Sequence, residues 1–130
     1  MDPESARILF VDDKIQLHDL IGGMLEALPI TMFYAQTGEQ GKQLISESSE
    51  FAVILSNHNM GPGLTGVEFL KWVKEHSPKT IRILITCGLD EDSMIDMVSR
   101  KDIDGYSLKP VIIDNLISQV NTAVLAYNAA

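Results

Sequence analysis

Ile8-Leu-Phe-Val-Asp-Asp13 is four apolar residues followed by two adjacent carboxylates. The run suits a strand covered on both faces, and the acids mark where it leaves the core. Working outward, short runs rich in Ile, Val and Phe recur between longer segments whose apolar residues return every three or four positions. The spacing predicts strands at Ile8 to Val11, Ile30 to Tyr34, Phe51 to Leu55, Ile81 to Thr86 and Gly105 to Leu108. Helical patterns fall between them at about 14 to 27, 38 to 48, 66 to 76 and 91 to 101, with a last one from about 112 to 127. Thr37 is placed to cap the second helix, Gly66 precedes the third, and Pro29 and Pro78 stop the first and third. Strand and helix in regular alternation predict a doubly wound α/β sandwich, with one domain spanning residues 1–130. On the last helix, Ile113, Leu116, Ile117, Val120 and Val124 form a stripe for the core, with Leu125 and Tyr127 beside it.

In 130 residues, 18 acidic and 10 basic side chains leave a net charge of -8. That balance repels polyanions and disfavours direct nucleic-acid binding. No apolar stretch approaches the roughly 20 residues of a membrane span, and the opening Met1-Asp-Pro-Glu-Ser5 is acidic, so the expected location is the cytoplasm. The lone Cys87 cannot form an internal disulfide, and His18, His58 and His76 lack the spacing of a zinc site.

In an open α/β sheet the ligand lies beyond the carboxyl ends of the strands. There the sequence offers Asp12 and Asp13, then Asn57, His58 and Asn59, then Thr86 and Cys87, and finally Lys109. Paired carboxylates repel unless they share a cation, and Mg²⁺ with its oxygen ligands is the usual one. Lys109 adds a compact positive charge and Thr86 a hydroxyl donor, which together suit a phosphoryl group. The plainer reading makes Asp12 and Asp13 the cap and first-turn acid of a helix, and the pair alone leaves both open.

The combination resembles the receiver domain of two-component response regulators, of the chemotaxis type. The likeness runs through Ile8-Leu-Phe-Val-Asp-Asp13, Phe51-Ala-Val-Ile-Leu-Ser-Asn57-His-Asn-Met60, Gly66-Val-Glu-Phe-Leu70, Ile81-Arg-Ile-Leu-Ile-Thr86 and Gly105-Tyr-Ser-Leu-Lys-Pro110. The resemblance implies five parallel strands in the order 2-1-3-4-5 with five helices, a flavodoxin-like fold. It also implies a Mg²⁺ pocket at Asp12 and Asp13, completed by positions 57 and 59. Thr86 and Tyr106 would be the residues that follow phosphorylation, Tyr106 by swinging between exposed and buried rotamers. Lys109, often followed by a cis peptide to proline, would pair with the acceptor. The implied partners are a sensor histidine kinase or phosphotransfer protein, and an output domain or target on the face of the fourth helix, fifth strand and fifth helix. A homodimer is a further option.

One departure matters most. The family's phosphate-accepting aspartate would fall at residue 57, and this chain has Asn57. An amide has no anionic oxygen with which to form an acyl phosphate. The expectation is therefore a non-enzymatic switch or scaffold with its covalent input disabled and Mg²⁺ weakly bound or absent. Two origins fit the residues: a native atypical receiver, or an ordinary one with its aspartate replaced. The loop Met60-Gly-Pro-Gly-Leu-Thr-Gly66 is one residue longer than the family's, and Lys14 is expected to lean over the pocket as a counter-ion.

Three competing signals are weaker. Gly61-Pro-Gly63-Leu-Thr-Gly66 matches a dinucleotide fingerprint in spelling, but Ser56 to Met60 separate it from the strand and Pro62 has no N–H. An aspartyl phosphatase would want Asp-x-Asp where this chain has Asp-Asp-Lys. Cys87 with His58 would suit a nucleophilic enzyme on the same fold, against the simpler reading of a small residue packed beneath its loop. Met94, Met97, Ile95 and Val98 are read as packing residues of the fourth helix.

Overall fold

The computed structural model describes residues 6–48 and 50–129. The elements run β1 (Ala6–Val11), α1 (Ile15–Met24), β2 (Ile30–Ala35), α2 (Gly38–Glu47), β3 (Val53–Asn57), α3 (Gly66–His76), β4 (Ile81–Thr86), α4 (Glu91–Ser99), β5 (Gly105–Leu108) and α5 (Ile113–Ala129). All strands are parallel, in the order β2-β1-β3-β4-β5. Both the strand order and the five helices agree with the expectation.

Side chains of the central strands alternate between two cores. Leu9, Val11, Ile54 and Leu84 join Phe69, Leu70, Met94 and Met97 on one face. Ile8, Phe10, Val53, Leu55, Ile83 and Ile85 join Ile21, Leu116 and Val120 on the other. Period-two alternation with apolar residues at every position is what a sheet covered by helices on both faces requires.

The differences from the sequence reading have local causes. β3 begins at Val53 and continues through Ser56 to Asn57, because the ladder with β4 extends to Asn57↔Ile85 after the apolar run has ended. Residue 57 is thus the last residue of the strand and not part of the following loop. α1 ends at Met24, and turn hydrogen bonds at Leu25 and Leu28 carry the chain to Pro29. α3 is capped by Thr65: its hydroxyl accepts from the Glu68 N–H at 3.2 Å, and the Glu68 carboxylate accepts from the Thr65 N–H at 2.9 Å. Thr37 caps α2 as expected. Ile113 and Ile95 depart from their assignments, being 46% and 51% exposed, while Leu116, Val120 and Ala123 carry the α5 stripe. Tyr127 is tied down by its hydroxyl, which donates to Glu50 at 2.5 Å, leaving Leu125 as the exposed apolar residue of that turn. Among the described residues no helix is long and apolar enough to cross a membrane.

Candidate functional site

The carboxyl ends of β1, β3, β4 and β5 form the site. Backbone bonds extend the ladder past the strands: the Asp12 N–H donates to the Ala35 carbonyl and the Lys109 N–H to the Thr86 carbonyl, each at 3.1 Å. They hold Asp12 and Lys109 at adjacent strand ends instead of in free loops. Lys109–Pro110 is a cis peptide.

Asp12 is fully buried and its two oxygens differ. Oδ1 accepts from the Lys14 N–H at 2.9 Å, whereas Oδ2 has no hydrogen-bond partner and lies 3.7 Å from the Lys109 ammonium. That separation gives charge pairing without a hydrogen bond. Burial raises the Asp12 pKa, against the opposing pull of the Lys14 N–H and the Lys109 charge; Asp13 adds to the rise. Asp13 itself is exposed. Neither acid caps α1, whose N-cap is Lys14 and whose first turn holds no acid, so the plainer reading of the pair fails. The expected role of the Lys14 side chain is not met either. Its backbone N–H, not its ammonium, reaches Asp12, and among the described residues the side chain is exposed with no ion pair.

Asn57 is 6% exposed, and its Nδ2 donates to the backbone carbonyl of Asn59 at 2.6 Å. Its placement depends on Gly66: a Cβ there would stand 2.1 Å from the Asn57 carbonyl oxygen, so α3 can approach β3 only with glycine at its start. Positive φ at Gly61 and Gly63 shapes the intervening loop. Three of the loop glycines thus have steric roles, and the dinucleotide spelling needs no ligand to explain it.

Thr86 is buried, and its hydroxyl oxygen accepts from the Gly88 N–H at 3.0 Å. A Cβ on Gly88 would meet the Asn59 side-chain amide at 3.0 Å, so Asn59 and the β4–α4 loop abut. Tyr106 points elsewhere, its hydroxyl donating to Glu91 at the start of α4 at 3.1 Å. Burial and the Glu91 carboxylate both raise the Tyr106 pKa. Cys87 is exposed and not packed beneath its loop, and no hydrogen bond among the described residues joins it to His58. His58 is half-buried; burial lowers its pKa against the opposing pull of Glu68.

The structure therefore gathers Asp12, Asn57, Asn59, Thr86 and Lys109 at one edge, with Asp13 exposed beside them and Tyr106 turned to α4. Sequence reading names His18 and Gly66 but not their roles at this site. His18 is buried, stacks on Tyr34 at 5.2 Å and donates from Nε2 to the Asp12 carbonyl at 2.7 Å, fixing the backbone that carries the acid. Its position one turn into the helix after the acid pair was the available signal. For a hard cation, Asp12 and Asp13 offer carboxylate oxygens and the unpartnered Asp12 Oδ2 is suited to one. Asn57 offers only a neutral oxygen, and the Asn59 carbonyl already accepts from the amide. Among the described residues no group of three or more His, Cys, Asp or Glu stands ready to hold a metal.

The sequence matches the response regulator receiver domain family over residues 8–121. It is 35% identical to the hydrogenase transcriptional regulatory protein HoxA of Cupriavidus necator over 97% of this chain and 26% of that protein. It is 28% identical to the transcriptional regulatory protein YkoG of Bacillus subtilis over 93% of this chain and 52% of that protein. The chain thus spans about a quarter and about half of the length of these relatives. A response regulator receiver domain protein from Clostridium thermocellum superposes with a TM-score of 0.85 at 25% identity, covering 95% of this chain and 98% of that one. By this match, and by its strand order and acidic strand-end pocket, the chain belongs to the response regulator receiver domain family of two-component signalling.

Proposed function

We propose that residues 1–130 act as a single receiver-type interaction module whose phosphoryl input is disabled at Asn57. The observation that carries this reading is the Asn57 side chain itself, buried at the end of β3 with its amide donating to Asn59. Phosphoryl transfer to a receiver needs an anionic carboxylate oxygen, and an amide supplies none. Thr86 and Lys109 stand at the same edge as the remaining parts of a phosphoryl switch, with Tyr106 as its aromatic member.

Receiver domains carry Mg²⁺ at their acidic site. Here Asp12, Asp13, Asn57 and Asn59 would hold the ion, and its affinity is low because one charged ligand is gone and the Asn59 carbonyl is engaged. When bound, Mg²⁺ would neutralise the two carboxylates. Lys109 does part of that already by facing Asp12 Oδ2. Receiver domains work with kinases or phosphotransfer proteins and with output domains, and some dimerise. For this chain the partners are a sensor kinase or phosphotransfer protein and a target on the α4–β5–α5 face, in the cytoplasm.

The test is incubation with acetyl phosphate and Mg²⁺, read by mass spectrometry on this chain and on Asn57→Asp. An adduct of about 80 Da is expected on the variant alone. An adduct on the parent chain overturns the proposal, and no adduct on either assigns the loss to the pocket as a whole and not to residue 57.

A further inference from the structure

We infer that His18 is the positioning residue of the Asp12 carboxylate, and that Tyr34 and Gly22 form the seat that holds its imidazole in place. The inference rests on the cation-pocket reading and adds the residues that keep the pocket's buried acid aligned. None of the three stands at the strand-end edge itself: His18 and Gly22 lie in α1, and Tyr34 in β2, the outermost strand on that side of the sheet.

Asp12 Oδ2 lacks a hydrogen-bond partner, and Oδ1 accepts from the main chain at Lys14, so the place of the carboxylate depends on the backbone of residue 12. One side of that backbone is held by β2, through the Asp12 N–H on the Ala35 carbonyl at 3.1 Å. The Asp12 carbonyl lies past Val11, the last paired residue of β1, and among the described residues no loop N–H reaches it. His18 supplies the missing donor at 2.7 Å, and Nε2 must carry the proton because a carbonyl oxygen only accepts. Residue 12 is thus gripped from two elements, β2 and α1. Without the imidazole a buried carbonyl loses its described partner. Its simplest relief is to turn toward water, which carries the carboxylate away from Lys109, now 3.7 Å from Oδ2.

The ring itself has little room to move. Phe10 and Tyr34 are register partners on β1 and β2, and His18 packs on both, edge-on to Phe10 at 5.6 Å and stacked on Tyr34 at 5.2 Å with the planes 19° apart. Tyr34 in turn crosses α1 so closely that a Cβ on Gly22 would stand 2.3 Å from its hydroxyl oxygen. A glycine inside a helix weakens it, and the close pass of Tyr34 is what a side chain at residue 22 would block. Packing alone does not account for a histidine here. An apolar ring would fill the space between Phe10 and Tyr34 without burying a polar N–H, which is favourable only where it finds an acceptor. Tyr34 is 40% exposed, so the line Tyr34, His18, Asp12 connects the surface of β2 with the buried acid.

The experiment compares the full chain with His18→Phe, His18→Gln and Gly22→Ala, first by NMR amide exchange without metal and then by Mg²⁺ titration followed at the Asp12 and Asp13 amides. His18→Phe keeps a ring between Phe10 and Tyr34 but has no donor, whereas His18→Gln keeps a donor near Nε2 without the ring. The Lys14 N–H reports the bond to Asp12 Oδ1. In His18→Phe its exchange should quicken about tenfold relative to the amides of β3, and Mg²⁺ binding should weaken about fivefold. His18→Gln should recover most of both losses. Gly22→Ala, which displaces the Tyr34 ring, should quicken Lys14 exchange about threefold with β3 unchanged. Unchanged Lys14 exchange in His18→Phe, equal losses in the Phe and Gln variants, or an acceleration spread evenly over β1 and β3 overturns the inference, the last by making His18 a packing residue only. Indifference to Gly22→Ala overturns the seat. The exchange measurement involves no metal, so a parent chain without Mg²⁺-dependent shifts sinks the cation reading while the exchange rates still decide the role of His18.

Discussion

At the scale of single residues, the pocket is defined by which charges remain. Asn57→Asp replaces an amide that donates to Asn59 with a carboxylate close to the buried Asp12. The variant should lose about 1–3 kcal/mol without Mg²⁺ and recover it as the ion is added, read by thermal melts with and without the metal. Equal melting under all conditions would show that the carboxylates do not interact. Lys109 acts in the opposite sense. Because burial holds the Asp12 pKa above its ordinary value of 3.8, the folded chain keeps that proton longer than the unfolded one. The contribution of Asp12 to stability therefore falls as pH rises from that value through the folded pKa, then levels. Lys109→Met should raise the Asp12 pKa further, with a penalty that is small near pH 4 and grows to about 1–3 kcal/mol by pH 7. Urea unfolding across that range checks it, and a penalty independent of pH would place the effect of Lys109 outside its pairing with Asp12. Asp12, Asn57, Thr86 and Lys109 were legible because each follows an apolar run. His18 and Gly66 were not, since their roles depend on a stacking partner and a backbone approach that exist only after α1 and α3 have docked.

At the scale of elements, local chemistry explains which boundaries the sequence revealed. The bounds of β4 and β5 match the sequence reading, for β4 because its apolar run and its ladder coincide. β3 was misread at both ends because pairing with β4, not hydrophobicity, decides where it stops. The start of α3 was assigned to the neighbourhood of Gly66, while the reciprocal Thr65–Glu68 cap went unread. That cap is testable: Thr65→Ala should cost about 0.5–2 kcal/mol and lower the melting temperature by several degrees, with the strand signal in circular dichroism preserved. The same substitution should also disturb Asn57 resonances, since the first turn of α3 packs on that carbonyl through Gly66. The exposure of Ile95 was hidden from pattern reading for another reason. Helical spacing shows that a side chain lies near the apolar stripe, but not whether a neighbouring element covers it.

For the whole molecule, the edge opposite the pocket is fastened by a chain of hydroxyls. Tyr127 donates to Glu50, Ser77 donates to the same carboxylate at 3.2 Å, and Thr80 links Ser77 to the Phe51 carbonyl. The Glu50 carboxylate, with burial, pushes the Tyr127 pKa up to about 12. A raised tyrosine pKa favours folding at every pH below its ordinary 10.0, and the benefit disappears as pH climbs through the folded value. Tyr127→Phe should therefore cost about 1 kcal/mol at neutral pH and little in strong alkali, as melts along the basic limb would show. Finally, β1, β3 and β4 send alternate side chains into opposite halves of the interior, so neither helical layer owns a strand of its own. Detaching one layer would strip the other of its floor, which makes disassembly all-or-none. Fluorescence of Trp72, which packs on one half, and far-ultraviolet dichroism of the entire backbone should then trace superimposable unfolding curves.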